Sequence, residues 1–232
     1  MRSLHVDTTQ VLVLLPNSDQ TEFEDTRVIK LVQAPSISSK TRFLKRCFDI
    51  IFSLLVMVTG FPVFLLLCVI AKLSSRGPAF YTQERLGRHS KPFTMYKFRS
   101  MYMNAEKFGP QLSSENDHRV TPWGRIIRRT RLDELPQFWN VFKGDMSIVG
   151  PRPERHHFAQ KIIVRNPNYN KLTHIKPGIT SIGQVYYGYA ENIDQMCERL
   201  KYDLLYLDKI SISTDLDIIY KTIRVVFQGK GQ

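Results

Sequence analysis

The longest apolar run in the chain lies between residues 50 and 71. It reads IIFSLLVMVTGFPVFLLLCVIA and contains 22 residues without a charged side chain. As one helix it would be about 33 Å long, enough to span a bilayer core. Gly60 and Pro62 interrupt its centre, where proline bends a helix, and basic residues flank both ends. The pattern leaves two alternatives open: a membrane-spanning helix, or a helical hairpin that enters and leaves through one leaflet.

Beyond residue 72 the pattern becomes that of a globular domain. Residues 93–98 alternate in a way that predicts a strand or hairpin arm. A helix is predicted to begin at Thr121 and Pro122, and another to begin at Leu135-Pro136 and end at Gly144. Further helices are predicted over residues 153–165, 191–209 and 213–228, the last with Ser213 or Thr214 as its N-cap. The expected fold class is therefore mainly α with small β elements (α+β).

The predicted C-terminal helix has one apolar face. That face consists of Ile218, Ile219, Ile223, Val226 and Phe227, opposite Lys221 and Arg224. Packing against a core is the usual reason for such a face, but the nearby apolar run makes an interfacial membrane helix a second interpretation.

Composition separates three regions of the 232 residues. Residues 1–38 contain three basic and five acidic side chains, so the rest of the chain carries +14 and the overall net charge is +12. These residues are interpreted as an appendage of unknown role, without an export signal. Residues 39–76 form the apolar segment with its basic flanks, and residues 77–232 the globular domain. The positive charge predicts contact with anionic lipid, nucleic acid or phosphorylated substrates, and three cysteines without C-x-x-C spacing predict neither disulfides nor a zinc site.

Two adjacent carboxylates follow a basic stretch in the middle of the globular domain. Asp133 and Glu134 lie in RLDELP, directly after GRIIRRT. Adjacent helical residues point about 100° apart, which does not suit an acid/base pair on one face. One interpretation is structural, with Thr130 as an N-cap and Asp133 three residues later as its capping partner. The other is chemical, because a carboxylate held ionised by arginines can hold Mg²⁺ between phosphates or attack phosphorus.

Several ordered motifs favour the chemical interpretation. They are LKRCFDI at 44–50, the Pro-broken apolar segment, GPAFYTQERLGRHSKPFTMYKFRSM at 77–101, RLDELPQFWNVFKGDMSIVGPRP at 131–153, KPGIT and GQV at 176–185, and YDLLYL with DLDIIYKTI near the C-terminus. From about Lys40 to Lys230 the chain resembles the bacterial sugar transferase family, the monotopic phosphoglycosyl transferases that begin lipid-linked glycan assembly.

The resemblance implies a reaction and a set of site residues. Members transfer a sugar-1-phosphate from a nucleotide sugar, commonly a UDP-sugar, to a polyprenyl phosphate and release the nucleoside monophosphate. Asp133 would form a covalent phosphosugar intermediate, and Glu134 would bind Mg²⁺. The implied substrate-binding residues are Lys97 in YKFRSM, Arg128, and Arg152 with Pro153 in GPRP. The apolar segment would be a re-entrant helical hairpin bent at Pro62, with the active site on the cytoplasmic face of the bacterial inner membrane.

The sequence departs from the family pattern in two places. The bend reads Phe61-Pro62 where the family has Ser-Pro, and Tyr186–Tyr189 (YYGY) occupies the place of an arginine assigned to donor binding. The expected partners are a nucleotide sugar, a polyprenyl phosphate and the lipid bilayer, with no nucleic acid, and homo-oligomerisation is left open. The alternative function is a non-catalytic, basic, membrane-anchored module that binds anionic lipid or nucleic acid.

Overall fold

The computed structural model describes residues 37–107, 109–114 and 117–228. Helices dominate this part of the chain, and the strands form two small sheets, which confirms the predicted α+β class. The elements are α1 (Ser39–Thr59), α2 (Phe61–Ser74), β1 (Phe80–Leu86), β2 (Pro92–Phe98), α3 (Pro122–Arg129), α4 (Gln137–Lys143), β3 (Ser147–Val149), α5 (His156–Arg165), α6 (Tyr169–Leu172), β4 (Gly178–Thr180), α7 (Ile182–Tyr186), α8 (Ile193–Leu207) and α9 (Ile212–Phe227). Apart from Ile37 and Ser38, the predicted appendage lies outside the described residues.

The apolar run forms two helices joined by a bend. α1 and α2 meet at Gly60 at an angle of 64°. The break was predicted at Pro62, which instead lies in the first turn of α2, where a missing N–H is tolerated. In the described part, no single helix is long and apolar enough to cross a membrane, but α1 and α2 together reach that length and composition.

The first helix is bonded to the globular part through polar side chains. The Arg46 guanidinium donates to the carbonyls of Val141 and Phe142 (2.7 Å each) at the end of α4. The buried Asp49 carboxylate accepts hydrogen bonds from Ser147 Oγ and the Ile148 N–H, both at 3.0 Å. These contacts fix α1 against α4 and β3, so the apolar pair is not a separate unit.

A buried ion pair joins α1 to the last helix. Lys45 Nζ donates to the Asp215 carboxylate and to Tyr206 Oη, and Tyr206 Oη donates to Asp215 Oδ1 at 2.6 Å. Asp215 is only 1% exposed. A buried charge of this kind requires its partner, so the beginning and the end of the described chain depend on each other.

The two sheets position the loops around the site. β1 and β2 are antiparallel, with Phe80 opposite Phe98, and the confirmed strand 93–98 lies within β2. β3 and β4 are parallel and pair Ser147 with Gly178. A Cβ on Gly178 would lie 2.2 Å from the Gly150 nitrogen, so only glycine allows this close approach of two backbones.

Most predicted helix ends agree with the structure. Thr121 caps α3 by accepting the Gly124 N–H, Pro122 is its first residue, and Gly144 ends α4 at φ 97°. The predicted helix 191–209 corresponds to α8. The predicted helix 153–165 begins only at His156, because the three residues before it are extended.

The N-cap of the last helix was predicted wrongly. Ser211 caps α9 by accepting the Thr214 N–H at 3.2 Å, rather than Ser213 or Thr214 capping it. The apolar face is also divided. Ile218 is buried in the core formed with β3 and α4, whereas Ile223 and Phe227 are 48% and 86% exposed.

Candidate active site

A tight turn presents the two adjacent carboxylates. α3 ends at Arg129, and Arg131 follows in the left-handed region with φ 53°, a rare conformation for a residue other than glycine. The 3₁₀ turn Leu132–Glu134 comes next and leads into α4. Both Asp133 and Glu134 are buried, at 7% and 4% exposure. The turn thus directs two carboxylates inward at one point.

The structural role predicted for Thr130 is wrong. Thr130 is the C-cap of α3, and its hydroxyl donates back to the carbonyls of Ile126 (3.0 Å) and Ile127 (3.2 Å). Arg131 leaves the helical conformation directly afterwards, so no new helix begins at Thr130. Asp133 therefore has no capping partnership with Thr130.

Two cations hold Glu134. Lys97 Nζ, from β2, donates to Glu134 Oε1 at 2.8 Å, and Arg152 Nη1 lies 3.6 Å from the same oxygen. Burial alone would raise the pKa of Glu134, but Lys97, Arg152 and Arg131 outweigh it and lower the pKa to about 2. Glu134 is therefore firmly ionised at neutral pH, as predicted for a carboxylate among basic residues.

Asp133 behaves in the opposite way. Burial raises the pKa of its carboxyl to about 6, against the effects of Lys97, Arg128 and Arg152, while the Glu134 charge adds to the rise. The arginines favour the anion as predicted, but burial outweighs them, so the pKa lies above its usual value instead of below it. At neutral pH, Asp133 is still mostly ionised, as a weakly stabilised anion beside a strongly stabilised one.

A cavity of about 470 Å³ opens in front of the dyad. All five charged residues predicted for the site line it: Lys97, Arg128, Asp133, Glu134 and Arg152. Pro153 is not among the lining residues; it is buried, and its carbonyl accepts a hydrogen bond from Arg85 Nη1 at 3.1 Å. The volume falls within the range of small-molecule sites.

Further charged residues around this cavity were not predicted. Arg85, Glu154 and Arg199 line it, and Arg199 Nη2 donates to Glu154 Oε1 at 2.5 Å. Arg155 binds Glu106 through both guanidinium nitrogens, at 2.6 and 3.1 Å. Arg85, Arg155 and Arg199 give no sequence signal that separates them from surface charges, since their partners lie far away in the chain.

Tyr189 lies where the sequence lacks the expected donor-binding arginine. Its ring lies 5.4 Å from the Arg131 guanidinium carbon and 5.8 Å from that of Arg152, both within cation–π range. The Tyr189 side chain also lines the cavity. Arg131 and Arg152 therefore place positive charge beside the Tyr189 ring at this wall.

The carboxylates that line the cavity suit a Mg²⁺ ion that is bound jointly by the protein and by substrate phosphates. Across the described residues, no group of three or more His, Cys, Asp or Glu side chains could hold a metal by itself. Mg²⁺ commonly takes one or two carboxylates and completes its shell with substrate phosphates and water. Asp133 and Glu134 supply carboxylate oxygens at the cavity wall, so these residues fit a metal that arrives with phosphate.

Comparison with known proteins identifies the family. The family model described as bacterial sugar transferase matches residues 40–229. The chain belongs to the bacterial sugar transferase family. The match begins at the start of α1 and ends just after α9, so the bent helical pair and the globular part are both within this transferase unit.

Several curated relatives of this sugar transferase carry specific names. A UDP-N-acetylgalactosamine-undecaprenyl-phosphate N-acetylgalactosaminephosphotransferase from Aeromonas hydrophila is 40% identical over 189 residues, 82% of this chain and 45% of the relative. A UDP-glucose:undecaprenyl-phosphate glucose-1-phosphate transferase from Escherichia coli K12 is 36% identical over 242 residues, 97% of this chain and 50% of the relative. A putative undecaprenyl-phosphate N-acetylgalactosaminyl 1-phosphate transferase from Bacillus subtilis is 44% identical over 146 residues, 62% of this chain and 82% of the relative. The chain thus spans about half the length of the first two.

Proposed function

We propose that this chain is a membrane-embedded phosphoglycosyl transferase. It transfers a sugar-1-phosphate from a nucleotide sugar, of the UDP class, to a polyprenyl phosphate such as undecaprenyl phosphate. The observation that carries the proposal is the buried Asp133–Glu134 pair, whose two pKa values are shifted in opposite directions at the wall of a cationic cavity. The names of the relatives support the donor and acceptor classes.

In the first step, Asp133 is the nucleophile. Its carboxylate oxygen forms a bond to the sugar-linked phosphorus, and the bond from that phosphorus to the bridging oxygen breaks. The electron pair leaves with the bridging oxygen, and the nucleoside monophosphate departs. Asp133 suits this role because its anion is poorly stabilised by its surroundings, and burial leaves it little hydrated.

In the second step, a phosphate oxygen of the polyprenyl phosphate attacks the same phosphorus. The bond to Asp133 breaks, the carboxylate is regenerated, and a polyprenyl diphosphate sugar is released. Two displacements at phosphorus leave the free enzyme unchanged, and each exchanges one bond. The soluble donor and the lipid acceptor thus react in turn at Asp133, which is the nucleophile in the first step and the leaving group in the second.

The cations around the dyad bind and neutralise the diphosphate. Arg128 and Arg152 line the cavity with Lys97, and guanidinium groups bind phosphate in a bidentate manner. Lys97 additionally holds Glu134 in place through its 2.8 Å hydrogen bond. Fixed positive charge of this kind stabilises negative charge that develops on the leaving phosphate.

Glu134 is the residue proposed to hold Mg²⁺, because its low pKa keeps an anionic oxygen available throughout the neutral range. When bound, the ion would neutralise charge on the donor diphosphate. Because adjacent residues in the turn diverge, Asp133 is free to face phosphorus while Glu134 serves as the ligand.

The bent helical pair is proposed to insert into one leaflet of the bacterial inner membrane from the cytoplasmic face. Apolar side chains on both helices face away from the protein: Phe43, Ile51, Leu54, Leu55 and Val58 on α1, and Phe61, Val63, Leu65, Leu66, Val69 and Leu73 on α2, each at least 45% exposed. Such a surface is unfavourable in water and suits lipid. The polar bonds of Arg46 and Asp49 to the globular part argue that α1 stays attached to the catalytic domain.

The exposed half of α9 extends the proposed lipid contact. Leu216, Tyr220, Ile223 and Phe227 are 48% to 86% exposed on this helix. Aromatic and apolar side chains on one face of a helix suit the interface between headgroups and acyl chains.

The proposed sugar-1-phosphate transfer would be the first step in the assembly of an exopolysaccharide, capsule, O-antigen or glycoconjugate.

A release assay tests the proposed reaction. Purified full-length chain is incubated with a panel of nucleotide sugars and polyprenyl phosphate, and nucleoside monophosphate is measured. Asp133→Asn is expected to abolish release, and a chelator of Mg²⁺ is expected to do the same. Asp194→Asn, an exposed carboxylate in a surface ion pair with Arg165, is the matched control and should retain activity. Near-full activity of Asp133→Asn would refute the mechanism.

A labelling experiment tests the membrane topology separately. Single cysteines are introduced near Arg42, in the first turn of α1, and near Arg76, after α2, in a variant that lacks the three native cysteines. An impermeant thiol reagent should label both positions in inverted vesicles, where the cytoplasmic face is outside. It should label neither position in intact cells. Access from opposite sides would mean a spanning segment, which would overturn the re-entrant arrangement while leaving the proposed chemistry in place.

A further inference from the structure

A second cavity lies on another side of the molecule. It has a volume of about 560 Å³ and is enclosed by the beginning of α1, the turn between β1 and β2, and the segment before β4. It shares no lining residue with the cavity at the dyad. Cationic and imidazole side chains converge on it: Arg42, Arg46, Arg88, Lys176, His89 and His174.

Four of these cations have no carboxylate partner within the described residues. Arg46 donates to two backbone carbonyls, and Arg88 Nε donates to the His174 carbonyl at 3.0 Å. No ion pair within the described chain involves Arg42 or Lys176. Lys45 also lines the cavity, but Asp215 neutralises it.

Among the described residues, one acidic side chain lines this cavity, and it is already engaged. Asp49 accepts hydrogen bonds from Ser147 Oγ and the Ile148 N–H and is only 3% exposed. It faces β3 rather than a guanidinium or ammonium group within hydrogen-bond distance. The charges of Asp49 and Asp145 favour the cationic form of Lys176, but the cations that line the cavity still outnumber the described carboxylates beside it.

The uncompensated cations lie close enough to repel one another. Arg46 Nη2 and Lys176 Nζ lie 3.2 and 3.3 Å from the point where a Cβ on Gly144 would be, so the two groups are neighbours. Burial lowers the pKa of Lys176, and Arg46 lowers it further. Burial likewise lowers the pKa of Arg88, with Arg42 adding to the effect. A bound anion would remove this repulsion.

We propose that the second cavity is an anion site that binds a phosphate group and is distinct from the catalytic cavity. Both terminal nitrogens of Arg46 already donate to carbonyls, which leaves the guanidinium groups of Arg42 and Arg88 and the Lys176 ammonium group. Two guanidinium groups and an ammonium group match the several oxygens of a phosphate better than the two of a carboxylate. Its position beside the first turn of α1 would bring a lipid phosphate headgroup within reach if the helical pair inserts as proposed. A soluble phosphate compound carries the same chemistry, so the experiment distinguishes these two sources.

The test uses the full chain in a neutral detergent with the double variant Arg42→Gln/Lys176→Gln. Neither side chain forms a hydrogen bond that the described structure needs, and Arg42 is exposed. The variant should therefore fold, with a thermal midpoint in phosphate-free buffer equal to or above that of the wild type, because like charges have been removed. The charge-matched control is Lys40→Gln/Lys91→Gln, two exposed lysines outside the cavity.

Binding is read from thermal midpoints in two titrations at constant ionic strength. In the first, the probe is inorganic phosphate and the control is chloride. In the second, the probe is phosphatidylglycerol in mixed micelles, and the control is an uncharged glucosyl diacylglycerol that has no phosphate. The Arg42→Gln/Lys176→Gln variant is expected to bind the phosphate-bearing probe about tenfold more weakly or worse, because two charge-assisted contacts are lost. Any phosphate bound at the catalytic cavity contributes equally in both proteins.

Each result decides the matter. A loss of affinity confined to Arg42→Gln/Lys176→Gln supports the site. If the loss is seen only with phosphatidylglycerol, the ligand is a lipid headgroup. If it is seen with inorganic phosphate, the ligand is a free anion. Equal affinities of variant and wild type, the absence of binding by the wild type, or an equal loss in the lysine control would overturn it. No turnover is measured, so failure of the proposed transferase activity would leave this result intact.

Discussion

Substituting the two carboxylates of the dyad should change stability in opposite directions. Asp133→Asn replaces a carboxyl whose pKa is raised from 3.8 to about 6, and Glu134→Gln replaces one whose pKa is lowered from 4.5 to about 2. A raised pKa means that the folded protein holds the anion at a disadvantage, and a lowered pKa means the reverse. At neutral pH, Asp133→Asn is therefore expected to stabilise the fold and Glu134→Gln to destabilise it.

The size of each change in stability follows from the difference between the pKa of the carboxyl in the folded protein and its ordinary value. One pH unit corresponds to about 1.4 kcal/mol, so each carboxyl accounts for roughly 3 kcal/mol as an upper bound. The disadvantage of Asp133 is full above pH 6 and disappears as the pH falls towards 3.8. The contribution of Glu134 is full above 4.5 and is lost as the pH falls towards 2. In a chain of this size, each kcal/mol moves the thermal midpoint by roughly 2–4 °C.

Thermal midpoints in detergent at pH 7.5 and at pH 5 measure the effect. Asp133→Asn should melt several degrees above the wild type at pH 7.5, and this gain should shrink at pH 5. Glu134→Gln should melt below the wild type at both values. Asp194→Asn, whose carboxylate is 83% exposed, should be neutral. An Asp133→Asn protein that melts lower than the wild type at pH 7.5 would refute the claim that burial dominates at this residue.

Three further outcomes are expected. The value of kcat/KM for the donor should fall about tenfold per pH unit below pH 6 as Asp133 becomes protonated, and a flat profile down to pH 5 would contradict its role as nucleophile. Tyr189→Ala should raise the donor KM roughly 2- to 10-fold with a smaller change in kcat, because Arg152 loses the ring beneath it, while Tyr189→Phe should behave as the wild type. Lys45→Met should destabilise the chain by about 3–5 kcal/mol, because Asp215 stays buried without a counterion, and the double variant Lys45→Met/Asp215→Leu should recover much of that loss in thermal midpoint.

Local signals in the sequence predicted local structure well. Thr121 with Pro122 marks the start of α3, and Gly144 marks the end of α4, because capping and left-handed backbone are properties of a few adjacent residues. Lys97, Arg128 and Arg152 were placed beside the dyad through the family resemblance, and all three line the cavity. Neither periodicity nor spacing alone would have brought them together.

The misjudged features depend on contacts distant in the chain. The stretch before His156 is extended rather than helical because the Leu86 N–H donates to the Glu154 carbonyl at 2.9 Å, and the Glu154 carboxylate binds Arg199. The pKa of Asp133 could not be judged from the neighbouring arginines, because burial by residues elsewhere in the chain exceeds their effect. The residues adjacent in sequence indicate which charges lie near a carboxyl, but they do not indicate how deeply that carboxyl is buried.

The ion pair between Lys45 and Asp215 affects the order in which the chain can fold during synthesis. The two residues are 170 positions apart in the chain. At a rate of about 5–20 residues per second, Lys45 is synthesised roughly 10–30 s before Asp215. During that interval α1 is already made and its apolar surface is complete, yet its polar anchor has no partner. Closure of the fold around α1 therefore waits for α9, and the last helix of the described chain to be synthesised completes the attachment of the first.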